Sequence, residues 1–398
     1  MKVLIADSLP ENALQSLRDI GLEVDFRPKL TASELAGAVG DAGVLVVRST
    51  KVSADAIAAA DGLSLIVRAG AGVNTINIDA ANSRGIYVAN CPGKNSVAVA
   101  ELTMGLLLAV DRRIADNVAD FRNGVWNKTV YAKAQGLAGD SFGIIGFGQI
   151  GREVARRARA FDLQVHAWSR SLTPDVAARE GVTFCGSVEE LIKRCRIVSL
   201  HAALTAETRG LMDEQRIAML QPNAVLLNTS RAELIDEAAL IAALRDGRIT
   251  AGLDVFADEP EGGAGEVQSA LQQLPNVVVT HHIGASTEQA QRAVADEAVR
   301  IVREYVTRGQ VPNWVNRSEA TPAQCQLSVR HFDKPGVLAN VLTELKQQNI
   351  NAEELENVIF DGNLTACCTI KLDDRPSNET LARIRARSDE VISVSLFP

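Results

Sequence analysis

The sequence predicts an α/β protein in which parallel, helix-covered sheets are followed by a small module containing antiparallel strands. Short apolar runs alternate with helical segments from Met1 onwards, which is typical of parallel strands joined by helices. A glycine-rich turn near residue 146 links one of these strands to a helix. After about residue 323 the pattern changes, and two β-like runs flank Asp361-Gly362, a hairpin signal.

The first apolar runs predict one parallel sheet. They read KVLIAD, LEVDF, VLVVRS, LSLIVRAG and IYVAN, with helical stretches such as ENALQSLRDIG and TASELAGAV between them. This alternation predicts a flavodoxin-like sheet covered on both faces, with functional groups at the carboxyl ends of its strands. Two of those strand ends carry a cation, at Arg48 and Arg68.

The glycine-rich turn reads Gly146-Phe147-Gly148-Gln149-Ile150-Gly151 and follows the apolar run FGII. Gly146 allows the tight turn, Gly148 lets the backbone approach a pyrophosphate, and Gly151 lets the next helix pack on the sheet. The N-terminus of that helix favours an anion. Because a second strand follows at residues 165–168, the motif predicts a Rossmann dinucleotide site rather than a structural glycine turn.

The residue that selects the dinucleotide is expected about 20 residues beyond the glycines. Ser169 and Arg170 occupy that place, and neither is a carboxylate. Ser169 removes the repulsion that excludes a 2′-phosphate, and Arg170 can pair with one. Alternatively, Arg170 is a solvated loop residue and NAD binds through Ser169 and the backbone. The sequence therefore leaves both NAD and NADP open as the cofactor.

Beyond the second strand the alternation resumes with IVSLHA, AVLLNTS, TAGLDVF and VVVTHH, which predicts a doubly wound sheet. Three of its strands end in polar motifs. Asn228-Thr229-Ser230-Arg231 ends one, Asp254 to Pro260 ends the next, and His281 to Thr287 ends the third. Carboxyl ends of parallel strands converge at one edge, so Arg231, Glu259 and a histidine can meet.

These three side chains make chemical sense together. An imidazole is suited to take a hydroxyl proton, and a neighbouring carboxylate orients it. An arginine beside them can grip the carboxylate of a 2-hydroxy acid and polarise a 2-oxo group. Each residue alone has an ordinary structural explanation, but the coincidence of all three favours catalysis.

Composition excludes several classes of protein. At 398 residues the chain is long enough for two or three domains. A net charge of −8 argues against nucleic-acid and acidic-membrane partners, and no apolar run approaches the length of a membrane span. We therefore expect a cytoplasmic protein. The six cysteines show no metal-ligand spacing, which predicts reduced, mostly buried thiols and no metal site.

The segments GFGQIGREVA, NTSRAELIDE, LDVFADEP and HHIGAST together resemble the motifs of the D-isomer-specific 2-hydroxyacid dehydrogenases, over essentially residues 1–316. The resemblance implies that Arg231, Glu259 and His282 form the catalytic set and that Asp254 lies near the nicotinamide carboxamide. Further cofactor contacts are implied for the glycine motif and its neighbours, namely Gly146, Gly148, Gln149, Ile150, Gly151, Ser169, Arg170, Thr229, Ser230 and His282.

Some positions depart from the family pattern. Ser169 and Arg170 replace the acidic residue that is usual in NAD-preferring members, and Ala232 replaces the common glycine after the catalytic arginine. His281 takes a place that proline usually holds, so its role is open. The first departure keeps open a reductase that uses NADPH on an unphosphorylated 2-oxo acid. Since the fold also serves corepressor-like proteins, a dinucleotide-sensing binding protein is a further alternative.

The segments VRSTKVSADAI and VRAGAGVNTINIDAA resemble the substrate domain of family members that act on a phosphorylated 2-hydroxy acid. The implied substrate contacts are the arginine side chains and the N–H groups of the following loop, namely Arg48, Arg68, Ala71, Gly72, Val73 and Arg231. Local cations suit a phosphorylated acid on an otherwise acidic protein. The structural alternative is that Arg48 or Arg68 forms a salt bridge across the cleft.

The last 75 or so residues follow a βαββαβ pattern, which predicts a ferredoxin-like module. The module resembles an ACT domain, a small amino-acid-binding regulatory fold. The resemblance implies L-serine as the effector and contacts at His331, Asp333 and Asn351, although Asp333 stands where asparagine is usual. A purely structural dimerisation module is the alternative. Either role predicts a homodimer or homotetramer.

The resemblance also predicts the domain boundaries. A discontinuous substrate-binding domain takes residues 1–96 and 284–316, and the dinucleotide-binding domain takes residues 97–283. A linker over residues 317–323 precedes the ACT-like domain at residues 324–398.

Overall fold

A computed structural model describes residues 1–260, 265–318 and 321–398 of the chain. These residues form two compact units, Met1–Asn316 and Arg317–Pro398. No helix within the described ranges combines the length and the apolar character that a bilayer span requires. The finer division into a discontinuous substrate domain, a dinucleotide domain and a linker stays a prediction.

The first unit opens with a five-stranded parallel sheet whose strand order is β2-β1-β3-β4-β5. Its strands are β1 (Lys2–Ile5), β2 (Glu23–Phe26), β3 (Val44–Val47), β4 (Leu65–Arg68) and β5 (Tyr87–Asn90). The helices between them are α1 (Glu11–Asp19), α2 (Ala32–Val39), α3 (Ala54–Ala58) and α4 (Ile78–Ser83). This order confirms the predicted flavodoxin-like sheet.

Side chains alternate between the two faces of this sheet, and both faces are buried. Val3 and Ile5 of β1 pack in the same core as Leu14 of α1, whereas Leu4 packs in another core with Leu35 of α2. Successive side chains of a strand point to opposite faces. Both faces are therefore covered by helices, and the strand ends are left to carry functional groups.

A long helical segment links the two sheets of this unit. It consists of α5 (Ser96–Arg112), α6 (Ile114–Arg122) and α7 (Lys128–Tyr131). The left-handed conformation of Arg113, with φ of 49°, separates α5 from α6. The apolar face of α5 is buried through residues such as Leu106 and Leu107, which pack in one of the cores of this unit.

The second sheet has seven parallel strands in the order β12-β11-β10-β9-β6-β7-β8. They are β6 (Ser141–Ile145), β7 (Gln164–Trp168), β8 (Thr183–Phe184), β9 (Ile197–Leu200), β10 (Ala224–Asn228), β11 (Ile249–Leu253) and β12 (Val277–Val279). The helices are α8 (Gln149–Ala160), α9 (Pro174–Glu180), α10 (Val188–Arg194), α11 (Glu214–Met219) and α12 (Glu237–Arg245). The strand order reverses between β6 and β9, as expected for a Rossmann fold.

The helix α13 (Glu288–Arg308) returns to the first sheet. Its residues Val299 and Val302 are buried in the same core as Val3 and Leu14. The chain therefore crosses between the two sheets twice, first before α5 and again before α13.

The second unit, Arg317–Pro398, is built around a four-stranded antiparallel sheet in the order β14-β15-β13-β16. Its elements are β13 (Cys325–Phe332), α14 (Val337–Lys346), β14 (Ala352–Ile359), β15 (Thr365–Leu372), α15 (Asn378–Arg385) and β16 (Val391–Phe397). Gly362 and Asn363 adopt positive φ angles of 90° and 56° in the turn between β14 and β15, where the hairpin was predicted. This topology confirms the ferredoxin-like, ACT-like module.

All six cysteines are free. Five of them are buried and Cys367 is half-buried. The adjacent Cys367 and Cys368 lie in β15 and differ in exposure because neighbouring strand residues face opposite ways.

Candidate active site

A cleft of about 2190 Å³ lies within the Met1–Asn316 unit. Strand ends of the first sheet contribute Arg48 and Arg68 to its wall. Strand ends of the second sheet contribute Arg231, Glu259 and His282. Because both sheets turn the carboxyl ends of their strands towards the cleft, residues far apart in sequence meet there.

The glycine motif has the geometry that a bound dinucleotide requires. Gly146 has a φ of 101°, and a Cβ at this position would lie 2.5 Å from the backbone N of Ala202. A Cβ at Gly151 would overlap the carbonyl oxygen of Gly146, whereas a Cβ at Gly148 would meet no atom within 4 Å. Gly148 caps α8 without any side-chain hydrogen bond to the first turn, so the N–H groups there are left for a phosphate.

The two residues expected to select the dinucleotide follow β7. Ser169 is half-buried and Arg170 is exposed. Glu207, in the loop after β9, lies within electrostatic reach of Arg170. A hydrogen bond from Thr205 lowers the pKa of Glu207 most strongly, and the charge of Arg170 lowers it further. A carboxylate thus stands near the arginine that was predicted to meet a 2′-phosphate, and it comes from a loop that sequence reasoning did not consider.

His282 and Glu259 are in direct contact. The Nδ1 atom of His282 lies 2.7 Å from Oε2 of Glu259, and Glu259 Oε1 accepts the N–H of Phe256 at 3.0 Å. Half of the His282 side chain is exposed. A carboxylate at Nδ1 favours the tautomer with its proton on that nitrogen, so Nε2 is the atom free to accept a proton from a substrate.

Asp254 shapes the loop that carries His282. Only 1% of Asp254 is exposed, and its carboxylate accepts hydrogen bonds from Thr280 Oγ1 at 2.5 Å and from the N–H groups of Ile283 and Gly284 at 2.9 and 2.8 Å. Its carbonyl oxygen accepts the N–H of His282, whose φ is 52°. The side chain predicted to lie near the nicotinamide carboxamide therefore also anchors the loop that carries His282.

A second carboxylate, Glu237, holds the turn that carries Glu259. Its Oε2 atom accepts the N–H of Ala257 at 2.6 Å. Burial raises the pKa of Glu237; the hydrogen bond from Ala257 opposes this, and the charges of Asp258 and Glu259 raise the pKa further. Sequence reasoning missed this residue because it lies at the start of α12, about 20 positions before the turn.

Arg231 reaches from the second sheet to a loop of the first. Its backbone is held by Asn228, whose Nδ2 donates to the Arg231 carbonyl at 2.9 Å. The guanidinium donates from Nη1 to the Ser230 carbonyl at 2.6 Å and from Nη2 to Asn74 Oδ1 at 3.4 Å. A Cβ on Gly72 would lie 2.7 Å from Nη2. The structure thus brings Arg231 to the loop predicted to bind the substrate carboxylate, that is, Ala71, Gly72 and Val73.

The other predicted cofactor residues lie around these elements. Gln149 and Ile150 begin α8, and the Gln149 side chain fills the space that a Cβ on Gly93 would take. Thr229 Oγ1 is 2.9 Å from Thr103 Oγ1 of α5. Ser230 Oγ donates to the Leu200 carbonyl at 3.0 Å. Both side chains of the Thr229-Ser230 pair are therefore held by neighbouring elements.

Three arginines converge in the cleft. Burial first, and then the charges of Arg231 and Arg48, lower the pKa of Arg68 to about 10. The Nε atom of Arg68 is shielded from solvent and has no hydrogen-bond partner among the described residues. Within residues 1–260, 265–318 and 321–398, no salt bridge joins Arg48 or Arg68 to a carboxylate, which argues against the predicted structural alternative.

The three predicted effector residues of the ACT-like unit are not all brought together. His331 is 2% exposed, and its Nδ1 and Nε2 atoms lie 2.8 Å from the Phe332 carbonyl and 3.2 Å from Asn357 Oδ1. His331 of β13 lies opposite Ala366 of β15. Ala352 of β14 lies opposite Leu372, which is six positions further along β15 (366 to 372). Six strand residues span about 20 Å. Asn351 therefore lies at the opposite end of the sheet from His331 and Asp333.

Comparison with known proteins decides the family. Residues 104–284 match the family model described as "D-isomer specific 2-hydroxyacid dehydrogenase, NAD binding domain". A D-3-phosphoglycerate dehydrogenase of Methanocaldococcus jannaschii is 38% identical over 366 residues, covering 92% of this chain and 68% of that protein. This chain belongs to the D-isomer-specific 2-hydroxyacid dehydrogenase family. It is accordingly an oxidoreductase that uses NAD(P).

Solved structures of the same family share the fold. The NAD⁺-bound 3-phosphoglycerate dehydrogenase of Entamoeba histolytica is 28% identical, with a TM-score of 0.67 over 80% of this dehydrogenase and 99% of that chain. An NADPH-dependent glyoxylate/hydroxypyruvate reductase of Sinorhizobium meliloti, in complex with NADP, is 26% identical, with a TM-score of 0.69 over 80% of this chain and 99% of that one. Several curated relatives are longer, and this chain spans between 56% and 64% of their length.

Proposed function

We propose that this family member is a D-3-phosphoglycerate dehydrogenase. It would convert 3-phosphoglycerate to 3-phosphohydroxypyruvate with NAD(P), the first step of L-serine biosynthesis. The observation that carries the proposal is the convergence of Arg48, Arg68 and Arg231 on one cleft, where the Nε atom of Arg68 is shielded from solvent and has no hydrogen-bond partner among the described residues.

The substrate has two anionic ends, and the cleft offers cations for both. Arg231 and the loop at residues 71–73 suit the carboxylate beside the reacting carbon, since a guanidinium binds a carboxylate through paired hydrogen bonds. Arg48 and Arg68 suit the phosphate at the far end. Clustered like charges are costly without an anion between them, so a ligand with two anionic groups is favoured over one with a single anionic group or none.

The proposed chemistry uses the contact between His282 and Glu259. In the oxidation direction, His282 Nε2 takes the proton of the 2-hydroxyl group, while the Glu259 carboxylate stabilises the imidazolium through Nδ1. In the reduction direction the same imidazolium returns the proton, and Arg231 polarises the 2-oxo group. A bound nicotinamide supplies the hydride-transfer chemistry at the reacting carbon.

The glycine turn, the start of α8 and the strand ends would hold that dinucleotide. At Gly148 a Cβ would meet no atom within 4 Å, which leaves room for a pyrophosphate to approach the backbone, whereas Gly146 and Gly151 allow the tight turn and the close packing of α8. Gln149 and Ile150 offer N–H groups of the first helical turn, and Thr229, Ser230 and Asp254 lie at the ends of β10 and β11. Ser169 and Arg170 would meet the adenosine ribose or its 2′-phosphate.

A second candidate function is an NADPH-dependent reductase of glyoxylate or hydroxypyruvate. The lack of a carboxylate at Ser169 and Arg170 favours it, because a 2′-phosphate is not repelled there. The arginine pair Arg48 and Arg68 favours the phosphorylated substrate instead.

The finer assignments of partner and location belong to the same proposal. Ile114, Val118 and Phe121 lie on one face of α6 and are 47%, 42% and 70% exposed, and Trp126 beyond the helix is 82% exposed. Large apolar side chains on one exposed face favour self-association into a homodimer or homotetramer. We also propose a cytoplasmic location.

L-Serine is the proposed effector of the ACT-like unit. Because Asn351 lies far from His331 and Asp333 along the sheet, all three can contact one ligand only if two copies of the domain contribute. Titration of the full chain with L-serine in a calorimeter, together with rates at increasing serine, tests this role. Absence of both heat and a change in rate would remove the effector and leave a structural module.

The proposed reaction is tested by initial rates of NADH and NADPH oxidation with phosphohydroxypyruvate, hydroxypyruvate and glyoxylate in parallel. We expect the highest kcat/KM with phosphohydroxypyruvate. A preference for an unphosphorylated acid with NADPH would support the reductase, and Arg48 and Arg68 would then require a structural explanation.

A further inference from the structure

Asp7 makes an unusual set of contacts beside the cleft. A single carboxylate oxygen, Oδ2, accepts the backbone N–H groups of three consecutive residues: Arg48 at 2.6 Å, Ser49 at 3.1 Å and Thr50 at 3.1 Å. Successive N–H groups that point to one spot form a concave anion site. Here the carboxylate of Asp7 takes the place of the anion.

The topology explains how Asp7 reaches this loop. Strands β1 and β3 are neighbours, with Ile5 opposite Val46, and the Ala6 N–H donates to the Val46 carbonyl at 3.0 Å. Asp7 therefore leaves β1 at the level where residues 48–50 leave β3. The aspartate and the arginine loop lie side by side although 41 positions separate Asp7 from Arg48.

The loop is also held at its far end. Thr50 Oγ1 donates to the Leu30 carbonyl at 3.4 Å, and the Val52 N–H donates to the Thr75 carbonyl at 2.8 Å. Asp7 is the contact that fixes the beginning of the loop, where Arg48 leaves the strand. Both Asp7 and Arg48 line the cleft.

We infer that Asp7 is a positioning residue for substrate selection. By holding the backbone of residues 48–50, it sets the direction in which Arg48 projects into the cleft and so places the guanidinium for the distal anion of the substrate. This inference rests on the proposed function, because it assigns Arg48 to the phosphate end of a phosphorylated 2-oxo acid.

The charge of Asp7 has a second consequence. Its carboxylate occupies the three N–H groups, so they cannot serve as a separate site for the substrate phosphate, and the phosphate is left to the guanidinium groups. Side-chain guanidinium groups bind phosphate in a defined, paired geometry.

The test compares the Asp7→Asn variant with the wild-type protein. Asparagine keeps the volume and one acceptor oxygen but removes the charge, which makes it the mildest change that weakens all three hydrogen bonds. For phosphohydroxypyruvate we expect KM to rise about tenfold with little change in kcat. The lost contact would stabilise the bound substrate and the transition state equally, so its loss weakens binding without slowing the chemical step. For hydroxypyruvate, which lacks the distal anion, kcat/KM should change by less than about threefold.

A double-mutant cycle separates positioning from general loop stability. If Asp7 acts through Arg48, then Asp7→Asn adds no further loss for phosphohydroxypyruvate once Arg48→Gln is present. If the losses of kcat/KM from the two single substitutions multiplied in the double variant, the inference would be overturned. Equal losses of kcat/KM for phosphohydroxypyruvate and hydroxypyruvate in Asp7→Asn would also overturn it. Asp213→Asn is the matched control, because Asp213 also accepts a backbone N–H, from Arg216 at 2.8 Å, but lies at the start of α11.

The outcomes also distinguish this inference from the proposed function. A wild-type protein that does not prefer phosphohydroxypyruvate contradicts the proposed function, and the assignment of Arg48 to a phosphate fails with it. A wild-type protein with that preference, unchanged in Asp7→Asn, contradicts the inference alone. The thermal unfolding midpoint and the dissociation constant for the dinucleotide, measured on each variant, identify a variant that fails to fold.

Discussion

The Nδ1 atom of His282 lies 2.7 Å from Oε2 of Glu259, and this contact sets which nitrogen of the imidazole is available for chemistry. The Glu259 carboxylate is held in turn by the N–H of Phe256. Two loops from neighbouring strand ends, β11 and β12, therefore meet at the proposed proton acceptor. The carboxylate of Glu237 accepts the N–H of Ala257 in the first loop. The carboxylate of Asp254 accepts the N–H groups of Ile283 and Gly284 in the second.

Substitutions of Glu259 should lower activity in a defined order, because residue 259 controls the tautomer of His282. In Glu259→Gln the amide NH₂ can donate to Nδ1, which favours the imidazole with its proton on Nε2 and blocks proton acceptance there. We expect kcat to fall about a hundredfold or more, and to fall further than in Glu259→Ala, which leaves the tautomer free. Measurement of kcat for both variants at saturating cofactor checks this order.

The variant for comparison is His282→Gln. Its kcat should fall about 10²- to 10⁴-fold, while its affinity for the dinucleotide stays normal. If His282→Gln kept most of the wild-type kcat, another group would be the proton acceptor. A Glu259→Gln variant with near wild-type activity would contradict the role of the carboxylate.

Cofactor preference should depend on the charges of Arg170 and Glu207. Removing the cation in Arg170→Ala is expected to lower kcat/KM for NADPH about tenfold, because a paired phosphate loses its partner, with little effect on NADH. Glu207→Gln should shift the preference in the opposite direction, towards NADPH, because a carboxylate no longer competes for Arg170. An unchanged NADPH to NADH ratio in both variants would mean that Arg170 is solvated in the complex.

Stability in acid should depend on Glu297 of α13. The pKa of Glu297 is lowered from 4.5 to about 2. Hydrogen bonds from Arg300 lower it most, burial opposes them, and the hydrogen bond from Asn313 and the charge of Lys94 lower the pKa further. A lowered pKa stabilises the folded state above about pH 4.5, and this contribution is lost as the pH falls from 4.5 towards 2. The loss amounts to at most about 3 kcal/mol.

Unfolding by urea at pH 6 and pH 3 measures this contribution. The wild-type protein should lose more stability between these two pH values than Glu297→Gln, which has no carboxylate to protonate. Glu288→Gln is the matched control, because Glu288 lies on the same helix with its side chain 89% exposed. Equal losses in wild type and Glu297→Gln would contradict the assignment.

Much of the fold could be predicted from local patterns. The run from Gly146 to Gly151 carries its turn, phosphate approach and helix packing within six consecutive residues, so its geometry is readable from sequence. The alternation of Val3, Leu4 and Ile5 between two cores follows from strand geometry alone. The meeting of Arg231, Glu259 and His282 in one cleft followed from the rule that parallel strand ends converge.

The residues that sequence reasoning missed act through backbone groups of distant loops. Asp7 and Glu237 bind N–H groups 41 and 20 positions away, and any non-proline residue could supply those donors. No residue-type pattern marks such a contact. The same limit applies to Asn351 and His331, because their separation depends on the register of β14 on β15, which the hairpin signal did not specify.

Arg68 is proposed to recognise the distal anion of the substrate, and the proposed function depends most on this contact. The ratio of kcat/KM for phosphohydroxypyruvate to that for hydroxypyruvate, in wild type and in Arg68→Gln, tests it most directly. Because Arg68→Gln removes the proposed ion pair between a half-buried guanidinium and the substrate phosphate, we expect the ratio to fall about a hundredfold, about 2.7 kcal/mol. Arg18→Gln, on the surface of α1 and paired with Glu11, should leave the ratio unchanged. A ratio that is the same in Arg68→Gln as in wild type would contradict the account.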